Sequence, residues 1–274
     1  MSGHATTLLL LPDAGHDARS WPAAFLDGLG SPGETAWEAL RPDWPDLPGD
    51  ADVGDLAAAV RDRVDAALPR GGRVHVVGQG LGALVALELG RRKIVASLTL
   101  IGAHCGARTS VASPPWVTRA LDDALAIADA DETASVPVSV GRPPDVRAGA
   151  LRALLHAQSF GGPAAPLLDG ARVRAHWAIA GTADSYARLP RIAKPTLLIH
   201  GSADVVVLAE NGRTIADRIS GARFQLLEGG GHCVVQEQPG AVAALVRDFV
   251  SAPAPAGPRP AVRPDDPRRR SAGR

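Results

Sequence analysis

Arg73-Val-His-Val-Val-Gly78-Gln-Gly80-Leu-Gly82-Ala83 is the stretch that decides the fold. Arg73–Gly78 reads as a short buried strand, and Leu81–Arg92 as a helix directly behind it. Glycines at 78, 80 and 82 mark a sharp turn in which backbones approach closely. Two chemistries use a turn of this kind. A dinucleotide fingerprint, here Gly78-x-Gly80-x-x-Ala83, needs an acidic residue about 20 positions on to hold a ribose hydroxyl. The chain offers Leu98-Thr-Leu-Ile-Gly-Ala-His104 there, without an acid, so that reading fails. The other is a nucleophile elbow, Gly-x-Ser-x-Gly, whose acid and histidine partners follow it in that order.

Both partners are present downstream. Pro195-Thr-Leu-Leu-Ile-His-Gly201-Ser-Ala-Asp204 sets an aspartate just past a strand. Glu228-Gly-Gly-Gly-His232 sets a histidine in a glycine loop before a terminal helix. Upstream, Leu8-Leu-Leu-Leu-Pro-Asp-Ala-Gly-His-Asp-Ala-Arg-Ser-Trp21 has the strand, loop and tryptophan spacing of an oxyanion-hole loop.

Further out, short apolar runs alternate with helical patterns, which predicts an α/β fold: a mostly parallel twisted sheet flanked by helices. Strands are expected at Thr6–Leu11, Trp37–Leu40, Arg73–Gly78, Ile94–Ile101, Pro195–His200 and Phe224–Glu228. Val53, Leu56, Val60, Val64 and Leu68 form the stripe of an amphipathic helix ending near Pro69. Two more helices are expected at Glu210–Ile219 and Pro239–Val250. Between about Gly106 and Ile192 the strand signal disappears; helical stretches around Trp116–Ala130 and Asp145–Ser159 are broken by prolines. The expected organisation is a core of residues 1–105 and 193–251, a helical lid at 106–192 over the carboxyl ends of the strands, and a disordered Pro/Arg-rich tail at 252–274.

Composition narrows the function classes. The 274 residues carry 29 Lys plus Arg and 29 Asp plus Glu, so bulk charge supports neither a nucleic-acid surface nor a polybasic membrane anchor. No apolar run approaches the roughly 18–20 residues that span a bilayer, and the first residues lack the pattern of a secretory signal. Cys105 and Cys233 are too few for a disulfide scaffold, which makes a cytoplasmic setting the expectation. The eight histidines show no metal-ligand spacing, so no metal and no cofactor are expected. The expected partner is a small-molecule substrate, with no nucleic acid and no membrane; oligomeric state has no signal.

Nearly the whole ordered chain resembles the α/β-hydrolase superfamily. The resemblance implies Asp204 as the acid, His232 as the base, and the backbone N–H groups of Ala14 and Leu81 as oxyanion donors. Two departures stand out. Pro12-Asp13 replaces the His-Gly frequent in the oxyanion loop, and Gly80 replaces the nucleophile. Glycine tolerates the strained elbow, but no acyl-enzyme can form on it. Losing the nucleophile of a serine hydrolase costs on the order of 10⁶ in kcat, so a serine mechanism is rejected.

An Asp–His pair without serine remains an acid/base unit. Gly80 is expected to leave a gap in which a water or substrate group stands between a neutral His232 and the Ala14 and Leu81 amides. That arrangement suits elimination, C–C cleavage, cyclisation or direct water attack on a small apolar carbonyl compound. A non-catalytic ligand-binding protein and a residual ester hydrolase using His-activated water are the alternatives. Ser202, Cys233, Cys105 and His104 are weighed as substitute nucleophiles and read instead as loop polar groups or buried thiols. Gln79 is expected to bond neighbouring backbone. Asp13 and His16 are open to a substrate contact or a loop-internal hydrogen bond. Trp21 is assigned to the core, and Trp116 and Trp177 to lid packing or a pocket wall. His75, His156 and His176 receive no role.

Overall fold

In the computed structural model, residues 6–30, 37–68, 72–106, 108–119 and 170–252 are described. Six strands form one all-parallel sheet: β1 (Thr6–Leu11), β2 (Trp37–Leu40), β3 (Val74–Gln79), β4 (Val95–Ile101), β5 (Thr196–Gly201) and β6 (Arg223–Leu227). Their spatial order is β2-β1-β3-β4-β5-β6. Register is continuous across the centre, with Leu11 beside Gly78 and Gln79 beside Ile101. The turns after β1, β3, β4, β5 and β6 therefore open along one edge of the sheet, where parallel sheets bind ligands.

The sheet is buried on both faces. Successive side chains of a strand point to opposite sides, and β1 shows it directly. Leu9 and Leu11 join the core that holds helices α2 (Val53–Ala67), α3 (Leu81–Leu89), α4 (Gly170–Gly181) and α5 (Ala209–Arg218). Leu8 and Leu10 face the opposite core, with Phe25 of α1 (Ala23–Leu29) and Val242, Ala243 and Val246 of α7 (Pro239–Ser251). A short helix, α6 (Val234–Glu237), precedes α7. Each fully buried leucine contributes about 1.5–3 kcal/mol of transfer free energy, which ties both helical layers to the same strands.

Element boundaries differ modestly from the sequence expectations. Helix α3 ends at Leu89, because Gly90 and Arg92 bond back to Leu87 and Leu89 in a turn. Helix α1 had no sequence assignment; Pro22 precedes its first residue, and Gly30 (φ 104°) leaves the helix in a conformation glycine favours. α2 starts as its sequence reads: Asp52 and Asp55 form a reciprocal capping box. Of the expected lid, residues 115–119 are helical, α4 is a helix, and Tyr186–Arg191 is a 3-10 helix. The expected helix at Asp145–Ser159, His156 and the tail from residue 253 lie outside the described residues.

Candidate active site

The turn after β3 is as tight as its three glycines require. Gly80 has φ 49° and ψ −113°; its N–H donates to Ile101 O at 2.9 Å, and its carbonyl accepts from Ala83 and Leu84. A Cβ on Gly78 would overlap the Gly82 carbonyl, and one on Gly82 would overlap Leu11 O. The first and third strands thus meet with no room for side chains, which brings the Pro12–Gly15 loop directly over the turn.

Asp13 fills the space above Gly80. A Cβ built on Gly80 would collide with the Asp13 carboxylate. Asp13 Oδ1 accepts from Ala14 N at 2.6 Å and from Leu81 N at 2.9 Å. Its Oδ2 lies 3.1 Å from His232 Nε2. His232 Nδ1 lies 2.9 Å from Asp204 Oδ2, while Asp204 Oδ1 accepts from the N–H groups of Val206 and Val207, both at 2.9 Å. Gly102 (φ 58°) passes close to the ring; a Cβ there would sit 3.2 Å from His232 Cε1. One imidazole is therefore clasped between two carboxylates, and all three residues are nearly removed from water: Asp13 is 9% exposed, His232 9% and Asp204 4%.

This geometry revises two expectations. The gap expected above Gly80 is filled by a side chain of the neighbouring loop, and the Ala14 and Leu81 N–H groups point at Asp13 Oδ1. Both follow from one physical fact: a backbone without Cβ at position 80 leaves a volume that a short acidic side chain at position 13 can enter, and two orphan N–H groups favour an anion there. The second revision concerns charge. Burial pushes the His232 imidazolium down, yet the Asp204 charge and the hydrogen bonds to Asp13 and Asp204 raise it well above its ordinary value. Burial pushes the Asp13 carboxyl up, but His232, the charge of His16 and the Leu81 N–H hold it well below the usual carboxylate range. Both directions favour a charged imidazole on His232 beside the Asp13 carboxylate, where the sequence leads to the expectation of a neutral base.

The surroundings are mostly structural. His16 is buried near Asp13, and burial lowers its basicity. His104 Nδ1 accepts from Gly106 N, and burial lowers it as well. His176 of α4 accepts from Gly15 N at 3.2 Å, and Trp44 meets the His176 ring edge-on, so α4 lies on the Asp13 loop. Gln79 Nε2 reaches Gln236 Oε1 at 3.3 Å and the carbonyl oxygen of His232 at 3.5 Å, bracing the histidine loop. Ser202 accepts from Gly229 N. Cys105 is fully buried beside Thr109, and burial drives the Cys233 thiol well up. Neither thiol is an activated thiolate. Trp21 packs in the core against Phe25, Trp177 packs partly buried on α4, and His75 pairs with Ser97. Trp116 lies in the helical turn at residues 115–119. Among the described residues no cluster of side chains suits a metal ion, and no helix is long and apolar enough to cross a membrane.

A parallel sheet with helices on both faces, a glycine-lined strand-to-helix turn, and an Asp–His pair on later loops define an α/β-hydrolase fold. The profile of the Alpha/beta hydrolase family matches residues 8–245, and the chain belongs to that family. Solved structures agree on the fold. A hydrolase from Pseudomonas aeruginosa is 24% identical, with a TM-score of 0.65 and 92% of each chain covered. The enol-lactonase from Burkholderia xenovorans LB400 is 22% identical, with a TM-score of 0.64, covering 91% of this chain and 93% of its own. The esterase RhEst1 from a Rhodococcus species is 20% identical, with a TM-score of 0.66, covering 90% and 91% respectively. No curated protein matches the sequence.

Proposed function

We propose that this chain is a hydrolase-type enzyme that works without a serine nucleophile, with His232, oriented by Asp204, as its general acid/base. The observation that carries this reading is the relay itself: His232 Nδ1 on Asp204 and His232 Nε2 facing the site, over a turn with no side chain to attack. Asp204 fixes the ring's orientation, and Nε2 is the position that exchanges protons. The Asp13 carboxylate limits the serine-free reactions. While Oδ1 holds both N–H groups, a substrate carbonyl cannot use them, so a reaction through a bound enolate or a tetrahedral oxyanion, ester hydrolysis included, requires Asp13 to move. Activation of water by His232 likewise requires Nε2 to part from Asp13 Oδ2 and give up its proton. General acid–base catalysis of this kind supplies typically 10²–10⁴-fold. Esterase and lactonase names among the similar structures make esters and lactones the first substrates to screen.

A second reading rests on the same carboxylate. Its two oxygens engage both N–H groups and the imidazole, a self-satisfied arrangement that a non-catalytic ligand-binding protein would also tolerate. The two are separated by a screen of esters, lactones and alkyl compounds with the wild-type chain and His232→Ala. The enzyme reading expects a turnover that falls at least 100-fold in His232→Ala, and no labelling of the wild type by a serine-directed fluorophosphonate. Turnover that is absent throughout favours the binding protein, and turnover indifferent to His232 removes the acid/base reading.

A further inference from the structure

We propose that the chain's own Pro/Arg-rich segment at 258–264 docks, as a polyproline II strand, into a groove at the β2 edge of the sheet. The groove has a volume of about 520 Å³ and lies between α1 and β2, away from His232. Its floor is apolar, made by Leu8 of β1, Leu26 and Leu29 of α1, and Trp37 of β2. Trp37 Nε1 is buried and, among the described residues, has no hydrogen-bond acceptor. Asp27 of α1 and Glu38 on the edge strand, both exposed, flank the groove, and neither has an ion-pair partner among the described residues. An apolar floor, an indole N–H in want of an acceptor and two unpaired carboxylates call for a ligand that is apolar, carbonyl-presenting and cationic at once.

The tail has that chemistry. Pro258-Arg-Pro-Ala-Val-Arg-Pro264 sets arginines at 259 and 263 around Ala261 and Val262. Prolines at 253, 255, 258, 260, 264 and 267 remove backbone N–H donors, so the segment cannot add to the open edge of β2 as a further strand. They favour polyproline II, which has no internal hydrogen bonds and leaves its carbonyls free to accept from a tryptophan in an aromatic groove. Proline rings, Ala261 and Val262 then cover the floor, and the two guanidinium groups meet Asp27 and Glu38. Arg41 also lines the groove, and Asp265-Asp266 follow the segment directly. Charge agrees over longer range. Residues 253–274 hold six arginines and two aspartates, which leaves 23 basic and 27 acidic residues in the rest of the balanced chain.

The exit of the chain supplies the reach. Helix α7 packs on α1, with Ala243 against Gly28 and Arg247 Nη1 donating to Gly28 O at 2.9 Å. Asp27, Leu29 and Gly30, the neighbours of Gly28, line the groove. Ala252 follows Arg247 by about 7.5 Å of helix axis, and its φ of −65° and ψ of 138° already lie in the polyproline II region. Six residues from there to Pro258 extend about 19 Å in that conformation, more than the roughly 10–12 Å diameter of the intervening helix. A tether this short gives the segment a high effective concentration at the groove.

The test uses the full chain, enriched in ¹⁵N, with a nitroxide on Ser271→Cys; Cys105 and Cys233 are buried and leave the new thiol as the accessible one. The nitroxide should broaden the Trp37 indole N–H and the Gly30 amide far more than the Arg223 amide, which also lies near the end of α7 through Phe249. Arg259→Glu with Arg263→Glu should reduce the Trp37 broadening about 5-fold, the scale of two exposed ion pairs. Adding Asp27→Lys with Glu38→Lys should restore it. Equal broadening of Trp37 and Arg223, indifference to the arginine reversal, or failure of the charge swap to rescue would overturn the proposal. Broadening that arises only when nitroxide-bearing chains are mixed with ¹⁵N-enriched chains lacking the label would place a second copy's tail in the groove and overturn docking within one chain.

Discussion

Asp13 and Gly80 are coupled by contact. Each departs from the expected motif, and each makes sense only beside the other, because the volume missing at one residue is the volume occupied by the other. Gly80→Ser alone should therefore fail to create a working elbow. The added side chain must displace a buried carboxylate at a backbone φ of 49°, and overpacking of this kind typically costs about 1–3 kcal/mol. Thermal denaturation should show the loss, with no fluorophosphonate labelling. Asp13→Gly together with Gly80→Ser clears the carboxylate, frees the Ala14 and Leu81 N–H groups and places a hydroxyl beside His232. That double variant should acquire p-nitrophenyl acetate hydrolysis and fluorophosphonate labelling. Labelling of the single variant, or none of the double, would uncouple the two positions. Asp204 and His232 were legible in the sequence because each sits at the end of a readable strand or glycine loop. The position of the Asp13 side chain was not legible, since contacts between residues 68 apart depend on which loops the sheet edge brings together.

Elements differ in how far their own sequence specifies them. The strands were readable because a parallel sheet covered on both sides demands near-continuous apolar runs, and Leu8–Leu11 or Leu197–Ile199 are such runs. Helix α2 carries its own start signal and its own stripe. Removing the cap by Asp52→Ala should lower stability by about 0.5–2 kcal/mol, measurable as a shift in urea midpoint with the slope unchanged; Asp50→Ala, a nearby exposed residue outside the capping box, is the control. Helix α1 was illegible because seven residues span only two turns, too few for a periodic pattern. Helix α4 is illegible in the sequence for a different reason. Its buried His176 and Ile179 alternate with exposed Arg172 and partly buried Trp177 and Ala180, and its place is set by the Asp13 loop and the core beneath it.

For the molecule as a whole, buried histidines make stability depend on pH in opposing directions. Burial lowers the imidazoles of His75 and His200 to about 4. The unfolded chain takes up protons near 6.5 while the folded one does so only near 4, so stability is lost as pH falls through that window. His232 acts oppositely: its folded value lies above the unfolded one, so its contribution is full below about 6.5 and fades as pH rises through the raised value. Melting temperature should thus fall on both sides of a maximum. His75→Gln should flatten the acid limb between pH 6.5 and 4 and leave the alkaline limb alone; an unchanged acid limb would show that His75 titrates normally.

The clasped imidazole has a consequence for how the domain comes apart. Its acceptors and donors arrive from the ends of the first, third and fifth strands and from the loop after the sixth, so the network closes only when both halves of the sheet are joined. A partly folded chain lacking the β6 edge would keep the Asp13 carboxylate under cover without its counter-ion, a state that desolvation makes costly. Half-built sheets are thereby disfavoured, and the first and last thirds of the described chain should lose their amide-exchange protection together.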